Sequence, residues 1–383
     1  MKIALLTTDS REHFRDYTNP TPYFGTAPEA LLQGFAQLPD VEVHVVCCVR
    51  QRVTAPEKIA PNIFYHALLV PKLGWMSTGY QGCIRAVRKC LGAIKPDIVH
   101  GQGTERDNAV CAVFSRMPNV LTIHGNMAEL ARMFESPIGS YGWLAGQIEN
   151  FVLPRTLGVF CNSAYTENLV RSRAKRIWRV ANPIREKFFD PPEPTDKKTR
   201  PGIINVGVVS PRKRQVEILQ IARVLHEQGR QLEFQFVGAC SPETRYGRSF
   251  LREIEEGERA GYARYFGTKN GDELVTLFDS AQAMVHFPTE EAFGLVVPEA
   301  LARNLKFFGA AVGGIVDIAS DVEFAELHPV NDWNGLQRGI AAWIDRDCPK
   351  PSSAAAMIAA RFKPKIIAAR HVEIYREVLG KNH

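Results

Sequence analysis

The sequence predicts an α/β protein made of two doubly wound units, each with a parallel sheet between layers of helices. Short apolar runs rich in β-branched residues alternate with amphipathic stretches along the chain, which is typical of parallel sheets with helices on both faces. A charged, proline-rich segment interrupts this alternation near the middle, and the pattern then starts again. At 383 residues the chain is long enough for two domains with full cores.

Residues 1–190 are expected to form the first unit, with a Rossmann-like arrangement. The pattern Thr26-Ala27-Pro28-Glu29 suggests a capping box that opens its first helix, after a loop that contains Gly25. The predicted strands are 2–8, 41–49, 63–70, 97–100, 119–123, 157–161 and 176–181. The predicted helices are 27–37, 78–94, 107–115, 141–154 and 164–171.

Prolines and charges without apolar periodicity fill 186–202, and we place an interdomain linker at 191–202. The second Rossmann-like unit is expected over 203–362. Its predicted strands are 203–209, 232–238, 263–266, 282–287 and 305–310, and its predicted helices are 214–228, 246–260, 272–279 and 295–303. Two such units that face each other would leave a central cleft at the carboxyl ends of their strands. An amphipathic helix within 363–383 ends the chain.

Composition argues against several classes of protein. No apolar run approaches the length of a membrane span. The apolar start Met1–Leu6 is too short for a signal peptide, so we expect a cytoplasmic protein. The eight cysteines show no paired metal-ligand spacing and are interpreted as reduced core residues. Asp345-Arg346-Asp347 is interpreted as a solvated helix end, so no metal site is predicted.

The segment 288–302 carries the strongest functional signal. It follows the predicted strand 282–287, and it sets Glu291 and Glu299 eight residues apart around a predicted helix start. Free N–H groups and partial positive charge at such a start suit a phosphate. Because the first carboxylate precedes the helix, the two do not share one helix face, which disfavours a glycosidase-like acid/base pair. The carboxylates would instead hold hydroxyl groups at opposite ends of a phosphate-containing ligand.

These residues resemble the Glu-x7-Glu signature of the retaining GT-B glycosyltransferases of family 4, in which Phe-Gly follows the first Glu. The resemblance implies the two-domain GT-B fold and a nucleoside-diphosphate sugar as co-substrate, with no further cofactor. It also implies that the terminal helix within 363–383 packs back on the first domain. It implies that Glu291 contacts the donor sugar and that Glu299 binds the ribose hydroxyls. The amides behind the first Glu, those of Gly294, Leu295 and Val296, would face the diphosphate.

A basic group opens the second unit. The strand that begins at Ile203 runs into Gly207, and Arg212, Lys213 and Arg214 stand where the next helix begins. Cations at a strand's carboxyl end can clamp a diphosphate leaving group. By its offset from Gly207, Lys213 matches the family's Lys, whereas Val208 replaces the family's Arg. We expect Arg212 to supply that second charge.

Gly313 and Gly314 follow the strand 305–310, where glycine lets the backbone approach a ligand closely. They resemble the start of the family's Gly-Gly-x-x-Glu, with Asp317 in place of Glu. Together with Gly25 and Gly207, these two glycines are predicted to bind the donor. Asn304-Leu305-Lys306 replaces the family's usual Gly-x-Pro. Both departures bear on which sugar and base are accepted.

In the first half, His124 ends the strand 119–123 before Gly125, and we predict a role at the donor sugar and acceptor, as the resemblance implies. His100 ends Pro96-Asp97-Ile98-Val99 and resembles the family's Pro-Asp-x-x-His. A structural role and a site role are equally open for His100.

Charge is uneven along the chain. Residues 1–200 contain 25 Lys and Arg against 18 Asp and Glu, whereas 201–383 contain 22 against 23. The densest basic group contains Arg171, Arg173, Lys175, Arg176 and Arg179. With the apolar segment 68–80, it could touch an anionic membrane that carries a lipid-linked acceptor. A solvated basic face with a packed loop is the alternative. No motif of a nucleic-acid binder is present.

The sequence therefore predicts an enzyme that moves a sugar from a nucleotide sugar to a hydroxyl of a carbohydrate or lipid-linked acceptor, in polysaccharide or glycoconjugate synthesis. Retention at the anomeric carbon is implied by the resemblance alone. Independence of metal is expected because Lys213, Arg212 and the helix amides would stabilise the charge of the departing diphosphate. Two alternatives stay open. One is another enzyme on the same fold, a sugar-nucleotide epimerase or a phosphorylase, and the other is a non-catalytic sugar-nucleotide binding protein.

Overall fold

A computed structural model describes residues 1–192 and 201–380. The chain divides into two compact units. Unit 1 comprises Met1–Arg185 with Phe362–His383, and unit 2 comprises Glu186–Arg361. Both contain a parallel sheet with helices packed on it, so the predicted α/β class is confirmed. Most of the predicted linker 191–202 lies outside the described residues.

Secondary structure alternates in both units as the sequence predicts. The strands are β1 Lys2–Leu6, β2 Glu42–Val49, β3 Lys58–Ala60, β4 Ile63–Leu69, β5 Ile98–Gln102, β6 Asn119–Ile123, β7 Val159–Cys161, β8 Ile177–Arg179, β9 Gly202–Val206, β10 Glu233–Val237, β11 Ala263–Tyr265, β12 Ala283–His286, β13 Lys306–Ala310 and β14 Ala325–His328. The helices are α1 Ser10–Phe14, α2 Thr26–Ala36, α3 Gln81–Ile94, α4 Asp107–Val113, α5 Met127–Met133, α6 Tyr141–Val152, α7 Ala164–Val170, α8 Gln215–Glu227, α9 Arg245–Ala260, α10 Gly271–Ser280, α11 Val296–Ala302, α12 Gly313–Ala319, α13 Trp333–Ile344, α14 Ala354–Phe362 and α15 Pro364–Val378.

In the described part of unit 1, eight strands form one sheet in the order β3-β4-β2-β1-β5-β6-β7-β8. All neighbours pair in parallel except β3 and β4, which are antiparallel. The central strands are buried on both faces. Helix α3 shows how the helices cover them, because the side chains it buries recur every three or four residues along one face: Cys83, Ile84, Val87, Leu91 and Ile94.

The last helix, α15, belongs to unit 1 and packs on α2. It buries Ile367, Val372 and Ile374 in the core on that side of the sheet. Each such side chain contributes roughly 1.5–3 kcal/mol when it leaves water. The phenol of Tyr375 and the ring of His100 also meet there, 2.5 Å apart at Oη and Nδ1.

Unit 2 begins earlier than predicted. The sequence placed the end of the first unit at 190, whereas the structure ends it at Arg185. Phe188 is fully buried beside Phe278, and the guanidinium of Arg303 donates to its carbonyl oxygen at 3.3 Å. These contacts tie 186–190 to helices α10 and α11 of unit 2, which composition alone does not reveal.

The described part of unit 2 contains a six-stranded parallel sheet in the order β11-β10-β9-β12-β13-β14. The strand order reverses between β9 and β12, which pair through Ala283 with Ile203 and Met284 with Ile204. In doubly wound sheets the loops diverge at this point and leave a crevice beyond the carboxyl ends of the two strands. Among the described residues, no helix is long and apolar enough to cross a membrane.

The expected capping box at residues 26–29 is wrong. Gly25 is the N-cap of α2, and it has no side chain with which to cap the helix. Thr26 and Pro28 lie inside the first turn, where proline is tolerated because the first N–H groups of a helix have no partner within it.

Candidate functional site

The strongest site candidate in unit 2 lies beyond β9 and β12, at the reversal of strand order. The loop after β9 leads through Gly207 to Lys213 and α8, and the loop after β12 leads through Glu291 to α11. The two loops are joined by a backbone hydrogen bond from Thr289 N–H to the Arg212 carbonyl oxygen, at 2.9 Å. Lys213 and Glu291, which are 78 positions apart in sequence, therefore meet in one place.

Lys213 and Glu291 form an ion pair at this point. Their side chains are 14% and 11% exposed, so the pair is largely removed from water but still reachable. Burial alone would raise the pKa of Glu291, but a hydrogen bond from His286 and the charge of Lys213 outweigh it and hold that pKa well below its usual range. Glu291 is therefore a carboxylate at neutral pH.

His286 is the third member of this group, and the sequence analysis missed it. It ends β12 with its ring fully buried, and Nε2–H donates to Glu291 Oε2 at 3.1 Å. Lys213 Nζ lies 3.4 Å from the same ring nitrogen. Burial, followed by the charge of Lys213, lowers the pKa of His286 to about 4, so the ring is neutral at pH 7. A polar residue ending an otherwise apolar strand was the signal that could have revealed it.

Arg212 lies beside the same carboxylates. Its Nη1 donates to the Glu290 carbonyl oxygen at 3.0 Å and lies 3.9 Å from Glu291 Oε1. Arg214 turns away, because its guanidinium donates to the Val330 carbonyl oxygen at 2.5 Å. Two of the three predicted cations thus face the Glu291 carboxylate, and the third packs elsewhere. Val208, which stands where the resemblance expects Arg, is 63% exposed.

The glycine pair that begins α12 holds the Glu291 loop. Gly314 N–H donates to the Glu291 carbonyl oxygen at 3.0 Å. Gly313 has φ +50°, and a Cβ atom there would lie 1.8 Å from the same oxygen. The close approach that the sequence predicted thus involves the chain's own backbone at Glu291. Gly294, at φ +85°, makes the turn between this loop and α11.

Glu299 lies in the first turn of α11 and is 2% exposed. The helix begins at Val296, one residue later than predicted, and Leu295 is its N-cap. A carboxylate in the first turn is stabilised by the positive end of the helix dipole. The carboxylates of Glu291 and Glu299 therefore flank the turn at Gly294, as the sequence predicts.

The remaining candidates, His124 and Gly25, lie in unit 1. His124 follows β6, and its Nε2 lies 2.9 Å from Gln102 Oε1 at the end of the neighbouring strand β5. Desolvation lowers its pKa to about 4, although the ring is partly exposed. Gly25 has φ −58°, an ordinary backbone conformation.

His100 is part of the packed interior of unit 1. Its Nδ1 meets the Tyr375 hydroxyl, and its Nε2 lies 2.7 Å from Thr122 Oγ1. Its ring stacks on Phe160, with 5.0 Å between ring centroids, and is fully buried. The structural alternative left open by the sequence is the one that these contacts support.

Two family profiles match adjacent parts of the chain. The profile Glycosyltransferase Family 4 matches residues 29–187. The profile Glycosyl transferases group 1 matches residues 186–361, which contain the Glu291 site. Together they span 29–361. No curated protein matches the chain in sequence.

Solved structures resemble the chain over its whole length. Sucrose-phosphate synthase from Thermosynechococcus elongatus has a TM-score of 0.76 at 18% identity, over 100% of both chains. Anabaena HepE in complex with UDP-glucose has a TM-score of 0.71 at 16% identity, over 98% of this chain and 100% of its own. A glycosyltransferase from Rickettsia africae has a TM-score of 0.71 at 13% identity, over 100% and 99%. At such identities the likeness establishes the fold, and with the two matched profiles it shows that this chain belongs to the GT-B glycosyltransferases of family 4.

Proposed function

We propose that this glycosyltransferase uses a nucleoside-diphosphate sugar as donor and places the sugar on a hydroxyl of its acceptor with retention at the anomeric carbon. The observation that carries the proposal is the meeting of Lys213 and Glu291 beyond β9 and β12, where the strand order of unit 2 reverses. Ligands of doubly wound sheets bind at such points. Retention is supported by the resemblance of the Glu291 segment to the retaining members of family 4.

The leaving group in this reaction is a nucleoside diphosphate, which gains negative charge as the bond to the sugar breaks. Lys213 and Arg212 are the cations nearest to Glu291 in the described part of unit 2. Fixed positive charge at a partly desolvated site stabilises developing negative charge strongly. In the free protein Lys213 pairs with Glu291. The bound diphosphate would therefore replace Glu291 in part as the partner of Lys213.

The two carboxylates would bind hydroxyl groups on either side of the diphosphate. Glu291, ionised and held by His286, can accept hydrogen bonds from the donor sugar. Glu299, buried in the first turn of α11, can accept from the ribose. Gly294, Leu295 and Val296 lie between them, and their amides would face the phosphates. His124 stays a proposed catalytic residue of unit 1, and Gly25, Gly207, Gly313 and Gly314 stay proposed donor-binding residues.

Catalysis by these cations needs no metal at the diphosphate, and we propose a metal-independent transfer. Turnover measured with and without Mg²⁺ or Mn²⁺ tests this directly. An equal rate in both buffers supports it, whereas a rate that requires the added ion contradicts it.

The donor is tested by incubating the protein with UDP-, GDP- and ADP-sugars and measuring release of the nucleoside diphosphate. UDP-sugars are the first choice, because HepE was solved with UDP-glucose. We expect release with one class of donor, accelerated by a suitable acceptor. No release over hours would favour the binding-protein alternative, and isomerised nucleotide sugar without release would favour an epimerase. The anomeric configuration of the product, read by NMR, tests retention.

For the acceptor, we propose a carbohydrate or lipid-linked hydroxyl in polysaccharide or glycoconjugate synthesis. The basic group of unit 1 supports membrane contact less than its composition suggested. The guanidinium groups of Arg171, Arg173, Arg176 and Arg179 all pair with carboxylates. The support comes instead from Leu73, which is 80% exposed next to Lys72.

Co-sedimentation with anionic vesicles tests membrane contact. We expect binding that Leu73→Glu weakens and that Ile138→Glu, at a similarly exposed apolar residue elsewhere in unit 1, leaves unchanged. Absence of binding, or an equal loss in both variants, would remove the membrane from the proposal.

A further inference from the structure

Unit 1 contains a compact group of metal-ligating side chains that does not belong to the Glu291 site. Cys48 lies near the end of β2, Cys83 in the first turn of α3, and Asp107 at the first residue of α4. One ligand atom from each lies within 4.8 Å of the other two. The sequence analysis interpreted these cysteines as core residues, because the group forms only when three separate elements pack together.

A fourth side chain adjoins this group. The thiols of Cys83 and Cys111 both lie close enough to Cys48 to shift its pKa, and Cys48 in turn acts on the pKa of the Asp107 carboxyl group. Cys111 lies one turn after Asp107 on α4. We call the four residues the thiol cluster.

The thiol cluster is buried in an apolar setting. Cys83 is inaccessible to water, and Cys48 and Asp107 are each 5% exposed. Around them lie apolar side chains of one core, among them Val46 and Val87. A carboxyl group buried among thiols is costly unless it is paired or coordinates an ion. The guanidinium of Arg106 acts on Asp107 and Cys83 as the nearby positive charge.

We propose that the thiol cluster binds one thiophilic divalent cation of the Zn²⁺ type, with Cys48, Cys83 and Asp107 as ligands. Two thiolate sulfurs and one carboxylate oxygen are donors that zinc accepts, and a water molecule would complete the tetrahedron. Tetrahedral ligands at zinc bond lengths lie about 3.8 Å or less apart, so the group has to contract by about an ångström or less. Side-chain rotation can supply such a change.

The charges balance when the ion binds. The Cys48 and Cys83 thiols each lose one proton to the solvent and form one metal–sulfur bond. Two thiolates and one carboxylate around a divalent cation leave one negative charge, which the guanidinium of Arg106 offsets. Cys111 keeps its proton and donates a hydrogen bond to the sulfur of Cys48, which orients that ligand as outer contacts of metal sites do.

The site would be structural. An ion there joins the end of β2 to the starts of α3 and α4 and so closes long stretches of chain. The thiol cluster belongs to unit 1, whereas Lys213 and Glu291 belong to unit 2. Its metal is therefore distinct from any metal at the diphosphate, and its test does not depend on transfer activity.

Cobalt is the probe for the experiment, since Co²⁺ takes the place of zinc and absorbs light when thiolates bind it. The full chain is reduced, stripped of metal with a chelator and titrated with Co²⁺ without oxygen. We expect a thiolate-to-cobalt charge-transfer band and the visible bands of tetrahedral Co²⁺, saturating at one ion per chain. Zn²⁺ should then displace the cobalt and raise the thermal unfolding temperature.

Two serine variants locate the site. Cys83→Ser should abolish the charge-transfer band or reduce it by about half, since it removes one of two sulfur ligands. Cys90→Ser is the matched control, because Cys90 lies on the same helix α3 and is outside the cluster. We expect the control to bind cobalt as the wild type does.

Three results would overturn the proposal: absence of a charge-transfer band in the reduced wild type, an undiminished band in Cys83→Ser, or loss of the band in Cys90→Ser. If Cys83→Ser does not fold by circular dichroism, Asp107→Asn decides instead. It should keep the charge-transfer band while binding cobalt at least tenfold more weakly. Unchanged affinity in that variant would count against the site.

Discussion

The Nε2 atom of His286 lies 3.1 Å from Oε2 of Glu291, within the interior of unit 2. The other ring nitrogen, Nδ1, is buried and has no hydrogen-bond partner among the described residues. Among the described residues, the carboxylate that the His286 ring contacts is therefore that of Glu291. Its place at the end of β12 sets the position from which that carboxylate approaches Lys213.

Replacing His286 should impair catalysis through Glu291. His286→Leu removes a hydrogen bond to a charged group, which is worth about 1.5–3 kcal/mol. We expect kcat/KM to fall roughly tenfold to a hundredfold and the acidic limb of the pH–rate profile to move to higher pH, because the pKa of Glu291 rises. His286→Gln, whose amide can still donate, should restore much of the rate. A leucine variant with wild-type rate and profile would show that His286 has only a packing role.

The two adjacent carboxylates should differ in effect. Glu291→Gln removes the charge that pairs directly with Lys213, whereas Glu290→Gln removes a carboxylate that pairs with Arg212. We expect kcat to fall by about a hundredfold or more in the first variant and by less than tenfold in the second. Initial rates at saturating donor measure this. Equal losses would place the catalytic role on the loop as a whole.

Glu299 should act in donor binding. Its loss removes hydrogen bonds that form equally in the ground state and the transition state, so Glu299→Gln should raise the Kd for the nucleoside diphosphate about tenfold, with kcat little changed. Isothermal titration with the nucleotide that the donor screen identifies measures the change. Glu255→Gln, at an exposed residue of α9, is the control. A fall in kcat at unchanged affinity would contradict this role.

Stability should fall as the pH drops below neutrality. Burial is the largest cause that lowers the pKa of His286, His371 and His124 to about 4. Their pKa in the unfolded chain is about 6.5, so between these values the unfolded state binds more protons. Each histidine then costs up to about 1.4 kcal/mol per pH unit. Urea unfolding followed by circular dichroism at pH 7.5 and 5.5 should show the loss.

A single replacement tests the cause of this pH dependence. His371 stacks on Phe160 with 4.7 Å between ring centroids, so His371→Phe keeps an aromatic ring and removes the titrating group. We expect the free energy of unfolding of unit 1 to depend less steeply on pH, by the equivalent of about one bound proton. A slope equal to that of the wild type would assign the effect to other groups.

The sequence predicted most elements correctly because each satisfies its own local pattern. Helix α5 was missed for a physical reason. Its first residues, Met127 and Ala128, donate to the carboxylate of Glu149, which lies on α6. No residue type near position 127 in the sequence indicates that cap. Strand β3 was missed because it is three residues long and pairs with β4 across a tight turn.

The site was predictable in part. Glu291 and Lys213 stand in loops, and Glu299 and the glycine pair stand in the first turns of helices, where the residue types carry the signal. His286 was hidden in an apolar strand, and its role depends on which face of β12 it occupies. The thiol cluster was out of reach, since Cys48, Cys83 and Asp107 are joined only by the packing of β2 with α3 and α4. Local sequence pattern predicts individual helices and strands, whereas the composition of each site also depends on contacts between them.

The central claim is that Lys213 stabilises the departing nucleoside diphosphate. It is tested most directly by the rate at which Lys213→Ala releases that product at saturating donor and acceptor, compared with the wild type and with Lys269→Ala, a control at a lysine of unit 2 that pairs with Glu273. We predict a fall of about a hundredfold to a thousandfold for Lys213→Ala and no change for the control. Release at the wild-type rate from a folded Lys213→Ala protein would contradict the account.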